Sequence, residues 1–114
     1  MAFRAANRYA RALADVVGET ADYRRALDEM DAFSTALRES MDLRQLFESP
    51  AVGTSDKIRV LDQVVHRMGT SLAVSNFLRV LVKNHRTVYF DEISRAFRRV
   101  ANQRLGIVAV KVAS

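Results

Sequence analysis

The chain has 114 residues, a formal charge of +5, 49% apolar residues and no cysteine. That length suits one compact domain with a core of its own, and the lack of cysteine excludes disulfides, thiolate metal sites and cysteine nucleophiles. No run approaches the ~20 apolar residues of a membrane span, and the N-terminus lacks the apolar core of a signal peptide, so the segment reads as soluble and cytosolic.

Apolar residues recur at helical spacing almost throughout. The first helix is expected over about Ala2 to Val17, ended by Gly18 in a left-handed position. Its apolar residues divide into two stripes. Phe3, Ala6, Ala10, Leu13 and Val17 suit a core, whereas Ala5, Tyr9, Ala12 and Val16 form a second stripe, with small residues at two of its four positions. Arg4, Asn7, Arg8, Arg11 and Asp15 fill a narrow polar arc. The second helix is expected from near Thr20 to Ser40, with Tyr23, Leu27, Met30, Phe33 and Leu37 on one face. Asp42 is expected to cap a short third helix that buries Leu43, Leu46 and Phe47, ended by Ser49-Pro50. After Gly53, Thr54 is expected to cap a fourth helix carrying Ile58, Leu61, Val64, Val65 and Met68, closed by Gly69.

Thr70 or Ser71 opens the fifth helix, whose apolar surface is unusually wide. Ala73, Val74, Phe77, Leu78, Val80, Leu81 and Val82 cover more than half its circumference, whereas packing on one core needs a stripe of about 100°. Either this helix is nearly engulfed by its own domain, or one flank receives another chain. The sixth helix is expected from about Val88 to Leu105, with Phe90, Ile93, Phe97, Val100 and Ala101 inward and Arg95, Arg98, Arg99 and Gln103 outward. After Gly106, the run Ile107-Val108-Ala109-Val110-Lys111-Val112 is β-branched and reads as a strand. The expected architecture is therefore an all-α six-helix bundle over residues 1–105. Residues 106–114 would be a linker or first strand of a second domain not included here.

The search for chemistry returns no catalytic, cofactor-binding or metal-ligating set. The sequence has no phosphate-binding loop, no glycine-rich dinucleotide turn and no paired-histidine zinc motif. His66 and His85 fall on different helices and read as helix-end residues. Asp28, Glu29 and Asp31 read as a solvated cluster pairing with Arg24 and Arg25. Met30, Met41 and Met68 read as core filler. Among the basic residues only Lys57, Lys83 and Lys111 are lysine, and the arginines are scattered among acidic residues. Such a balance suits an arginine-rich solvated surface better than a nucleic-acid footprint, because no aromatic is interleaved to stack on a base. A basic helical nucleic-acid-binding module is the alternative. Recognition by surface shape remains: the second stripe of the first helix serves either a neighbouring helix of the bundle or a partner helix laid in a shallow groove.

Three segments recur in order with a known family. They are Arg8-Tyr9-Ala10-Arg11-Ala12-Leu13, Leu46-Phe47-Glu48-Ser49-Pro50, and Asn76 through Arg86, followed by the closing run Gly106 to Ser114. With this ordered set the chain resembles the delta subunit of bacterial F-type ATP synthase and its mitochondrial counterpart, the oligomycin-sensitivity-conferring protein. The resemblance implies a non-catalytic stator subunit of a proton-translocating rotary enzyme, without cofactor, peripheral to the cytoplasmic face of the bacterial cell membrane. It implies a six-helix N-terminal bundle that binds the N-terminal helix of an alpha subunit between the first and fifth helices. It also implies a C-terminal α/β domain, beyond this chain, that meets the b-type stalk subunit. Carried over by position, Ala5, Tyr9, Ala12 and Val16 would line the groove on the first helix. Asn76, Phe77, Val80 and Asn84 would line it on the fifth, with Leu13 and Leu81 bridging groove and core. Neither nucleic-acid binding nor membrane insertion is implied, and the chain is expected to be a monomer.

Overall fold

The computed structural model describes residues 2–20 and 22–106, with side chains described at 4–18 and 22–106. The Phe3 side chain and the strand expected from Ile107 onward lie outside these residues. Six α-helices follow in order: α1 (Ala2–Thr20), α2 (Tyr23–Glu39), α3 (Met41–Glu48), α4 (Thr54–Met68), α5 (Leu72–Lys83) and α6 (Phe90–Leu105). A single 3₁₀ turn, Thr87–Tyr89, leads into α6, and no strand occurs among the described residues. The expected all-α, six-helix bundle is what the chain forms.

The core lies where α1, α2 and α6 meet. Ala6, Ala10, Leu13, Ala14 and Val17 bury the core stripe of α1, and Ala96, Phe97 and Ala101 of α6 are fully buried. The alanines bring the two backbones close, and α1 makes its most extensive helix contact with α6. At the other end Phe33 of α2 stands edge-on to Phe90 of α6, with ring centroids 5.1 Å apart, and packs against Phe47 of α3 at 6.2 Å. Such tilted aromatic pairs add to the area they bury. α4 packs chiefly on α5, which in turn rests on α1 and α2.

Several helix ends differ from the sequence reading. α1 runs through Gly18 to Thr20, because Gly18 serves a close approach rather than a stop. A Cβ there would meet the Tyr23 hydroxyl at 2.5 Å. That hydroxyl donates to the Ala14 carbonyl at 3.1 Å and accepts from Arg104 at 3.2 Å. The cap of α2 is Asp22, whose carboxylate accepts from the Arg24 amide. α3 is capped by Ser40, not Asp42: the Ser40 hydroxyl accepts from Leu43 N–H at 3.2 Å, and Asp42 lies in the first turn, where a negative charge suits the helix dipole. Met41, at the start of that turn, points away from the aromatic cluster and is 57% exposed, so it is not core filler. Thr54 is the first residue of α4 rather than its cap, which is Gly53. Val88 lies in the 3₁₀ turn and is exposed; α6 begins two residues later.

Other ends match the reading. Gly69 and Gly106 close α4 and α6 in the left-handed region, at φ 66° and 78°, and Ser71 precedes α5. His85 takes the same left-handed role after α5 at φ 58°, with the Arg86 and His85 amides donating back to the Leu81 and Val82 carbonyls. That double bond pattern satisfies the last carbonyls of the helix.

Candidate helix-docking groove

α1 and α5 lie side by side and antiparallel, with Tyr9 opposite Phe77 and Asn84. The second stripe of α1 is not covered by the bundle. Between the two helices runs a cleft of about 380 Å³, lined by Tyr9, Ala12, Leu13, Val16, Ala73, Asn76, Phe77 and Val80. Two apolar side chains face solvent from opposite walls: Val16 is 48% exposed and Val80 is 44% exposed. Leu13 forms part of the floor while remaining buried, whereas Leu81 lies wholly in the core beneath and contributes no lining surface.

Local chemistry positions the walls. The Tyr9 ring stands edge-on to Phe77, with centroids 6.4 Å apart and planes at 76°. The amide of Asn84 donates to the Tyr9 hydroxyl at 2.9 Å, tying α1 to the end of α5. Asn76 is steadied by Arg79, which donates to its side-chain oxygen at 2.7 Å while also pairing with Asp62 of α4. Beyond Tyr9 the groove opens into a second hollow of about 300 Å³ lined by Ala5, Arg8, Tyr9, Ala12 and Arg86. One end of an otherwise apolar groove is therefore basic. Of the residues singled out from the sequence, Tyr9, Ala12, Leu13, Val16, Asn76, Phe77 and Val80 come together in the cleft, Ala5 lines its extension and Asn84 braces it. Sequence reasoning missed Ala73 as a wall residue and did not place Arg8 and Arg86 at the same end.

No set of converging groups suited to acid–base or metal chemistry appears beside the groove, and no cluster with the makings of a cation site occurs among the described residues. Among the described residues, no helix is long and apolar enough to cross a membrane. The arginines are drawn into dispersed pairs: Arg25 with Glu29, Arg59 with Asp56, Arg79 with Asp62, Arg98 with Asp31 and Arg104 with Asp15.

A family profile described as ATP synthase delta (OSCP) subunit matches residues 5–114. The chain belongs to the ATP synthase delta (OSCP) subunit family. It is 36% identical over 110 residues to the ATP synthase subunit delta of Acidobacterium capsulatum, covering 96% of this chain and 62% of that protein. With the protein of the same name from Koribacter versatilis it shares 34% identity over 108 residues, covering 94% and 60%. With that of Halothermothrix orenii it shares 36% over 107 residues, covering 94% and 56%. The chain thus spans about three-fifths of the length of these delta subunits. The ordered segments around Tyr9, Phe47 and Phe77 that carried the resemblance all fall inside the match.

Proposed function

We propose that this domain is the helical head of a non-catalytic stator subunit in a rotary, proton-translocating ATP synthase, peripheral to the cytoplasmic face of a bacterial membrane. Its groove takes the N-terminal amphipathic helix of an alpha subunit, and the b-type stalk subunit would engage a further α/β domain. The observation that carries the docking reading is the apolar cleft between α1 and α5, with Val16 and Val80 half-exposed on opposite walls. Apolar side chains of a partner helix, at i, i+3, i+4 and i+7, would enter such a seam. An apolar seam resists salt, and its strength lies in a slow off-rate. That suits a joint meant to stay closed while the enzyme turns. Arg8 and Arg86 at one end favour acidic residues on the corresponding end of the partner.

The test is to titrate a peptide of the cognate alpha-subunit N-terminus into the wild-type domain and into Ala12→Asp and Val80→Asp. Both positions are solvent-accessible in the free domain, so the variants keep their melting temperature. Binding weakens by ~2 kcal/mol or more, because the new carboxylate is desolvated without a partner only in the complex. Leu81→Asp, at a fully buried position, instead unfolds the domain. Wild-type peptide affinity in a folded Val80→Asp variant would refute the groove, and binding of nucleic acid with a steep salt dependence would favour the basic-module alternative.

A further inference from the structure

A second, larger cleft lies away from the groove, between the turn joining α3 to α4 and the 3₁₀ turn before α6. It encloses about 690 Å³, and its walls include Phe47, Pro50, Val52 and Val88. Three features of one corner converge on a single chemistry. First, α4 starts at Gly53 without any side-chain cap, and no described residue accepts from the amides of Thr54, Ser55 or Asp56. Those N–H groups stand at the positive end of a 15-residue helix, of whose start Gly53 and Thr54 line the cleft. Secondly, Lys57 lines the same cleft and is only 4% exposed, yet its ammonium has no hydrogen bond or ion pair with any described residue. Thirdly, among the described residues no side-chain nitrogen or oxygen is fully enclosed without a partner. The Lys57 ammonium therefore opens on the cleft, while its methylene stem is buried in the wall.

An ammonium fixed at the cleft wall by its buried stem, with no counter-charge beside it, offers an entering anion a charged partner. The charge on the other side of the balance is small. Glu48 also lines the cleft but is exposed and lies beyond ion-pairing range of Lys57. Asp56, in the first turn of α4, is engaged with Arg59 at 3.1 Å. We infer that this cleft binds an oxyanion, a phosphate or carboxylate group, held between the Lys57 ammonium and the free amides at the start of α4. Uncapped helix starts bind such groups through their N–H donors, and a charged donor shortens and strengthens the contact. The apolar walls leave room for the body that carries the group, which is either a free solute or an acidic side chain of a partner. This site is independent of the α1–α5 groove and of the function proposed for it.

The experiment is an amide chemical-shift titration of the domain with inorganic phosphate, and separately with acetate, at constant ionic strength set with chloride. Saturable shifts confined to the amides of residues 53–57 are expected. Phosphate saturating where acetate does not assigns a phosphate-bearing ligand, and the reverse assigns a carboxylate. Lys57→Met keeps the stem and removes the charge, and it should weaken binding about tenfold, the loss of one charge-assisted contact, with the shifts elsewhere unchanged. Glu48→Gln should tighten it. Equal shifts with chloride alone, no saturation with either anion, or undiminished binding by a folded Lys57→Met variant would each overturn the site.

Discussion

Gly18 sits inside α1, and the Tyr23 hydroxyl occupies the space a side chain there would need. In an exposed helix interior, glycine to alanine gains about 0.5–1 kcal/mol. Here the sign reverses. The added methyl would displace a hydroxyl held by the Ala14 carbonyl and by Arg104, on a ring too stiff to swing aside cheaply. Gly18→Ala is therefore expected to lower stability by ~1 kcal/mol or more, measured by chemical denaturation. In a Tyr23→Phe background, which removes the clashing oxygen, the same change becomes neutral or favourable. Equal effects in both backgrounds would show that Tyr23 is not the cause. The sequence could not reveal this, because a glycine near a helix end is read as a stop or a close approach by the same residue type. Only the position of Tyr23, on the next helix, separates the two. The same limit explains Ser40 and Asp42: both are good caps, two residues apart, and which one holds an amide depends on where the chain turns.

At the scale of the element, α5 starts on a carboxylate borrowed from another helix. Glu29 of α2 accepts from the Ser71 amide at 2.9 Å and from the Ser71 hydroxyl at 2.6 Å, while Arg25 pairs with it from one turn away. A residue that reads from sequence as part of a solvated acidic cluster holds Ser71, the residue just before the first turn of a distant helix. Its neighbour Asp31 pairs across to Arg98 of α6. Asp28 and Asp31 are both exposed, as expected of a solvated cluster, and Glu29 makes the expected pairing with Arg25. Glu29→Ala should cost about 1–2 kcal/mol, in the range of lost hydrogen bonds to a charged group, and should speed hydrogen exchange selectively at the start of α5. Asp28→Ala is the matched control and should leave both unchanged. Periodicity made the helices and their buried faces legible, since Leu27, Met30, Phe33 and Leu37 are indeed buried together. It carried no trace of a contact that spans 42 residues.

For the whole molecule, α4 packs chiefly on α5, while α5 is bound to α1 and α2. That chain of contacts ties the outer pair to the core. The domain should therefore give a strongly helical circular dichroism spectrum and one cooperative melt as a monomer. Two resolved transitions would mean that α4 and α5 form a separate unit. The groove was legible because excess apolar surface on two helices is a whole-domain signal: α1 and α5 each carry more of it than a core can use. Which residues line the cleft was less so. Leu81 and Val80 are neighbours on the same wide arc, and only the way α5 sits on the bundle puts one in the core and the other on the wall. Arg8 and Arg86 lie far apart in the chain, so their shared end of the groove depends on the antiparallel pairing.

Tyr9 is held from two sides before anything enters, by the Asn84 amide at its hydroxyl and by Phe77 at its ring edge. The largest side chain of the groove thus has little rotamer freedom left to surrender. Ordering a free side chain on association costs about 0.5–1.5 kcal/mol, and under the proposed docking that entropy would be lost mainly by the partner helix. A rigid socket of this kind would leave the affinity of the proposed contact to be tuned from the other partner, through the fraction of time its segment is already helical before it docks.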